Sequence, residues 1–408
     1  MYSFLFDLEA QSTRCSLSRY PHLPIHKPKQ PQPMRFLFSL LFSLFLLQGA
    51  TAQVITVLRN GQSFFHYDVS QLATLISTTS PAHTLPGDTI ILPGGSISCP
   101  NIGINKPLTI IGAGILQSGA TVTEVTQWTS TTPNQGTEPG FYIQSGGAGS
   151  SFHGIVFNSS VRFTGAGNNA PAFSTSFTRC SLRGGLFLST FGQFSIWSAC
   201  PANVTFKQCL ITGINFGASS TAVTNFQLNN CFIAQAIGIT GANAATSTFV
   251  NQCIILGAGS HTANAGVVFS NNIFVKNTGT FSFQNSNATF YNNVFGTQAG
   301  GVLPTFGMGA TESDNVPAAN TSIFENVTDF TFFFPNFNYQ LSAGSQASGI
   351  GQGGFDAGVY SGPPGNPWKP NAIPFNPHWT GLLPSGGSLG TTTGGVINVT
   401  IQGAAQQN

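Results

Sequence analysis

One short pattern recurs six times along the middle of the chain and restricts its fold more than any other feature. The copies are Phe177-Thr-Arg-Cys180-Ser-Leu182, Phe206-Lys-Gln-Cys209-Leu-Ile211, Leu228-Asn-Asn-Cys231-Phe-Ile233, Val250-Asn-Gln-Cys253-Ile-Ile255, Phe269-Ser-Asn-Asn272-Ile-Phe274 and Phe290-Tyr-Asn-Asn293-Val-Phe295. The shared form is apolar, any, Asn/Gln/Arg, Cys/Asn, any, apolar. From Cys180 to Asn293 the steps are 29, 22, 22, 19 and 21 residues, and Phe152-His-Gly-Ile155-Val-Phe157 is a weaker copy 25 residues ahead. A unit this short cannot hold a helix pair. Its β-branched and Phe content, with Gly and Asn between units, predicts strands and tight turns. One unit cannot bury its apolar face alone, so neighbours must stack. Stacked strands lie ~4.8 Å apart, which sets the first apolar position in one inward column and the apolar residue five places later in another. Asn229, Asn230, Asn271, Asn272, Asn292 and Asn293 then fall where each strand must turn, a place Asn tolerates well.

Composition agrees. Only 6% of residues are charged, far below the ~25% of an ordinary domain, yet 41% are apolar and 37 of 408 are Phe. That excludes disorder, a coiled coil and a nucleic-acid-binding tail. The 48 Gly follow no three-residue period, which excludes collagen.

Near the start, Met34-Arg35 precedes the apolar run Phe36–Leu47, with Ala50 and Ala52 beyond it. This reads as a secretory signal peptide at 34–52, cut before Gln53, and the run is too short to span a bilayer. Residues 1–33 read as an over-long translation start. Without 1–52 the chain loses five basic and two acidic side chains, which turns a formal net charge of +2 into −1. No argument for nucleic acid or anionic membranes stands on such a balance.

Asp68-Val-Ser-Gln71 resembles a capping box ahead of an amphipathic segment with Leu72, Leu75 and Ile76. It is expected to be a short helix covering the N-terminal end of the stack. Gly87-Asp-Thr-Ile-Ile-Leu-Pro-Gly94-Gly-Ser-Ile97 and Lys106-Pro-Leu-Thr-Ile-Ile-Gly-Ala-Gly114 resemble the first two rungs of the pectate-lyase superfamily. The stretch from Tyr339 to Gly362, with Pro367-Trp-Lys-Pro and Pro374-Phe-Asn-Pro-His378, is similar to the closing segment of uncharacterised bacterial secreted β-helix repeat proteins. The resemblance implies an all-β fold: a right-handed parallel β-helix solenoid over 53–335 with an N-terminal cap. It also implies an irregular closing segment at 336–380 that finishes the last coil and wraps the end. Residues 381–408 form a Gly/Ser/Thr-rich tail with one strand, Val396–Ile401. The superfold hosts lyases, hydrolases, adhesins and inert scaffolds, so it implies no particular activity.

The chemistry is marked by what is missing. Residues 139–311, which hold every copy of the repeat, contain no Asp or Glu. Lyases of the resembled fold hold Ca²⁺ through carboxylates, and its hydrolases need a carboxylate pair across the scissile bond. Glu124 with Glu138, and Glu312 with Asp314, are the near pairs elsewhere, and both read as solvated loop charges. The acid-free stretch carries Arg162, Arg179, Arg183, Lys207 and Lys276. Arg179, Arg183 and Lys207 fall within two successive units and are the candidate ligand-binding set, a basic face for an anionic glycan. Scattered surface charge is the plainer reading of the same residues.

Cys180, Cys209, Cys231 and Cys253 occupy one repeat position and are followed there by Asn272 and Asn293, which together make a structural ladder. Their spacing is not that of metal ligands. A buried column of free thiols is expected, although stacked Cα atoms fall within disulfide range. No metal or other cofactor is expected, and the histidines read as structural or exposed. Two functional readings follow. One is a secreted or cell-surface non-enzymatic β-helix protein, a scaffold or adhesin that binds extracellular polysaccharide. The other is a polysaccharide lyase or glycoside hydrolase. The oligomeric state is not legible.

Overall fold

The computed structural model describes residues 54–66, 68–77, 83–100, 102–115, 125–131, 140–164, 174–183, 194–196, 202–219, 224–235, 237–241, 247–257, 260–263, 266–284, 287–298, 300–363, 367–368, 378–384 and 399–404. The signal peptide expected at 34–52, residues 1–33, Glu124, Glu138 and Cys200 lie outside them.

The protein is all-β, built on long parallel sheets. Among the described residues the chain visits three sheets in turn and returns one strand further along each time. One such circuit runs Ala202–Lys207 in the first sheet, Leu210–Ile211 in the second and Ile214–Ser219 in the third. The next repeats it with Thr224–Asn229, Phe232–Ile233 and Ile237–Gly241. The first sheet has twelve strands and the second ten. The third is divided into pieces of three and five strands. Within the first sheet only the N-terminal edge is antiparallel, where Ile55–Arg59 pairs with both Gln62–His66 and Thr89–Ile91.

The repeat copies stand in register. In the first sheet Phe152, Phe177, Phe206, Leu228, Val250, Phe269 and Phe290 pair one above the next and point inward. In the second, Phe157, Leu182, Ile211, Ile233, Ile255, Phe274 and Phe295 do the same. Equal side chains on strands this close stack face to face. Phe152–Phe177 and Phe177–Phe206 have centroids 4.8 and 4.7 Å apart, and Phe269–Phe290 and Phe274–Phe295 are each at 4.9 Å.

Between the two columns runs the ladder of Cys and Asn. The backbone N–H of Cys180 donates to Cys209 Sγ at 3.4 Å, and that of Cys209 to Cys231 Sγ at 3.5 Å. Cys253 N–H donates to Asn272 Oδ1, Asn272 N–H to Asn293 Oδ1, and Asn293 N–H to Asn315 Oδ1. Each ladder side chain also donates to a first-sheet carbonyl, Cys209 to Phe177 and Asn293 to Phe269. Thiol and amide therefore do one job, each accepting from and donating to the backbone of the circuit before its own. Asn315 extends the ladder beyond the residues expected from the repeat. All five described cysteines are buried and unpaired.

At the N-terminal end Asp68 Oδ1 accepts from Ser70 N–H at 2.8 Å and caps a turn of 3-10 helix. A single short helix follows, Leu72–Ser77, burying Leu72, Leu75 and Ile76. No helix of the described residues is long and apolar enough to cross a membrane.

The closing segment, expected to finish the last coil and wrap the end, is described over 336–363 and 367–368. It lies along the side of the stack, where Ala347, Ala357, Val359 and Trp368 pack with Phe232, Ile254, Ile273 and Val294 on the outer face of the second sheet. That face is apolar as well as the inner one, so it has to be covered. The strand expected alone at 396–401 appears as Val399–Ala404 and pairs antiparallel with His378–Pro384.

Candidate functional site: an uncharged groove beside a backbone strap

From Ser151–His153 onward, each first-sheet strand is followed by a residue in the left-handed region. The column is Gly154, Arg179, Gln208, Asn230, Gln252, Asn271, Asn292 and Asp314, with φ between 51° and 61°. Asn and Gly take this conformation readily, whereas Arg and Gln do so at a cost of ~1 kcal/mol or more. The conformation turns each backbone N–H toward the next circuit, as from Gln208 to the Asn229 carbonyl at 3.0 Å and from Asn230 to the Asn251 carbonyl at 3.1 Å.

The side chains of this column hold the C-terminal strap, described at residues 350–363 and 367–368, by its backbone. Gln208 Nε2 donates to the Pro367 carbonyl at 2.7 Å, Asn230 Nδ2 to those of Val359 and Ser361, and Asn292 Nδ2 to that of Ile350. Asn271 accepts from Gln352 N–H at its side chain and from Gly358 N–H at its backbone carbonyl. The strap thus crosses the circuits along their shared corner.

Beside the strap lies a groove of about 430 Å³ on the outer face of the first sheet. Its floor is Gln227, Asn229, Phe249, Asn251, Ser270 and Tyr291, its corner Gln252 and Asn271, and its far wall Gln352, Gly353, Phe355 and Pro363. Phe249 is 37% exposed and Phe355 43%. No Asp, Glu, Lys, Arg or His lines it. Gln252, 3% exposed, has an amide oxygen with no hydrogen-bond partner among the described residues.

A smaller groove, about 270 Å³, lies on the second sheet between Leu210, Phe232 and the turn Phe332–Pro335. Arg183 is its one charged lining residue.

The expected basic set is spread over three surfaces. Arg179 stands in the left-handed column, 9% exposed, with Nε donating to Gln208 Oε1 at 2.7 Å. Burial lowers its pKa from the ordinary guanidinium value. Lys207 points outward from the first sheet, since its neighbour Phe206 points inward. Arg183 lies beyond the second-sheet strand Ser181–Leu182. The larger groove touches none of the three. Lys276 is buried, with Nζ donating to the Thr280 carbonyl, and the Arg162 side chain lies outside the described residues.

Among the acids, Asp88 is buried and held by Arg59 at 2.7 Å. Glu312 and Asp314 are exposed on the strand next to that of Tyr291 and on the turn after it. Asp356 accepts from Ser348 and from Gly349 N–H. Among the described residues no group of three His, Cys, Asp or Glu stands close enough to hold a metal.

The groove's aromatic residues were missed in the sequence, although the repeat carried a signal for one of them. The outward position just before each column-forming residue is Ser151, Ser176, Thr205, Gln227, Phe249, Val268 and Thr289. Phe249 is the aromatic residue in that outward row. Comparison of the chain with protein-family models, curated proteins and solved structures finds no match.

Proposed function

We propose that the protein is a secreted, non-enzymatic scaffold of adhesin-like kind that holds an extracellular or cell-surface polysaccharide on one side of a right-handed parallel β-helix. The three-sheet circuit and its in-register parallel strands support the β-helix. The basic start and apolar run at 34–47 support secretion.

The glycan part is carried by one observation. The larger groove is lined by side-chain amides, aromatic rings and a serine, with no carboxylate and no cation. Such surfaces suit sugars, whose C–H faces lie on aromatic rings while their hydroxyls bond to amides that both donate and accept. Hydrolysis would need a carboxylate pair across the bond, and calcium-dependent elimination would need clustered carboxylates. Glu312, Asp314 and Asp356 do not line the groove.

A glycan array probed with the wild-type protein and with Phe249→Ala tests this. Retention on at least one polysaccharide, lost in the variant, is expected. Retention on none removes the glycan reading. Shortened or unsaturated sugar released from the array would transfer the function to a hydrolase or lyase.

A further inference from the structure

We infer that the occupant of the larger groove is an uncharged, ribbon-like β-1,4-linked sugar chain, not a uronic-acid polymer and not a helical α-linked one. The inference rests on the glycan-binding reading above and adds the class of chain. Charge supplies the first reason. A polyuronate would bring a carboxylate on every sugar into a groove whose lining offers no cationic side chain and no carboxylate to hold a metal ion. Lys207, paired in register with Asn229, stands one strand beyond the floor and could meet one such charge at most. Burying the others unpaired would oppose binding.

Shape supplies the second. The floor spans four successive parallel strands, Thr224–Asn229, Thr248–Asn251, Val267–Ser270 and Thr289–Tyr291. Three strand spacings make a bed roughly 14 Å long at ~4.8 Å each. A flat ribbon with apolar faces and hydroxyl edges can lie along such a bed. A chain that coils leaves it after one or two sugars.

The aromatic placement supplies the third. Phe249 pairs with Val268, which pairs with Thr289 on the strand of Tyr291. The two rings are therefore two strands apart, roughly 10 Å along the stack, and roughly 12 Å apart once their offset along the strands is included, a distance that a ribbon of two to three sugars spans. They are offset by two residues, so the ribbon crosses the strands obliquely. Phe355 faces the floor from the strap, and the side-chain amides of Gln227, Asn229 and Asn251 lie on that floor with the rings to meet the hydroxyl edges of the ribbon.

Calorimetric titration with cellohexaose, mannohexaose, maltohexaose and a hexagalacturonide decides it. Binding of cellohexaose or mannohexaose at least tenfold tighter than of the other two is expected. Phe249→Ala and Tyr291→Ala should each weaken that binding tenfold or more without changing the melting temperature by more than a few degrees. Equal or tighter binding of maltohexaose or the hexagalacturonide overturns the inference and leaves the glycan reading standing. Binding of none of the four, with a glycan still retained on the array, overturns the inference alone. Failure of both measurements overturns both readings.

Discussion

The sulfur of Cys209 accepts from the backbone N–H of Cys180 at 3.4 Å and donates to the carbonyl of Phe177 at 3.4 Å. Asn293 does the same work with an amide, accepting from Asn272 N–H and donating to the Phe269 carbonyl. The interchange makes a sharp prediction. Cys209→Asn should hold the melting temperature within a few degrees, because it continues an existing ladder at similar volume. Cys209→Val keeps the site filled, with one carbon more, and removes the acceptor, leaving a buried N–H unpaired, which costs ~1–3 kcal/mol. Denaturant unfolding of the two variants separates the outcomes, and equal losses would show that the sulfur only fills space.

The ladder also carries a pH dependence. Burial raises the Cys180 and Cys231 thiols well above their ordinary value of 9.0. Above that pH the unfolded chain releases these protons while the folded protein keeps them, so stability falls as pH rises. The contribution is whole below about pH 9 and is lost progressively above it. Buried Tyr339 and half-buried Tyr360, each raised from 10.0 to about 12, add a second loss above about pH 10. Thermal melts across this range should fall, with a shallower first decline in a Cys180→Asn, Cys231→Asn double variant. A pH-independent melting temperature would contradict the assignment. In the sequence, the alternation of Cys and Asn at one repeat position was visible. Its meaning was not, because nothing in spacing distinguishes a soft filler from a hydrogen-bonding group.

Among the elements, the strap is the one the repeat did not announce. Its clue lay in the position of the pattern left free. That position holds Leu210, Phe232, Ile254, Ile273 and Val294, and Ser181 alone is polar there. A strand apolar on both faces must be covered on both, and the strap provides the second cover. Trp368 is 3% exposed and meets Phe232 at 5.1 Å between ring centroids. Trp368→Ala should cost ~3–5 kcal/mol and open the strap to limited proteolysis, with the repeat circuits more resistant than the strap. At Gly358, φ is +89° and an added methyl would come within 2.7 Å of Ile273 Cδ1. Gly358→Ala should therefore destabilise by ~1–3 kcal/mol, checked by the same unfolding measurement. A strap that resists protease unchanged in both variants would mean that its side-chain packing adds little to its backbone hydrogen bonds.

At the scale of the whole molecule, the repeat made the circuit legible: two inward columns, a turn at each Asn/Gln/Arg, and a buried row of Cys and Asn between. The site was legible only in part. The acid-free middle pointed away from carboxylate chemistry, and the basic residues drew attention to a surface they do not share. Arg179, Arg183 and Lys207 are near in sequence, but the corner turn sends Arg179 inward to Gln208 and Arg183 onto the second sheet. The groove combines four circuits with a strap more than sixty residues further on, a conjunction no local pattern encodes. Incubation with cellohexaose or mannohexaose, followed by size analysis of bound and free sugar, tests the central claim most directly. The expected result is sugar retained by the wild-type protein, lost in Phe249→Ala, and recovered at full length. Shortened sugar, or retention indifferent to Phe249, would contradict a groove that holds a glycan without cutting it.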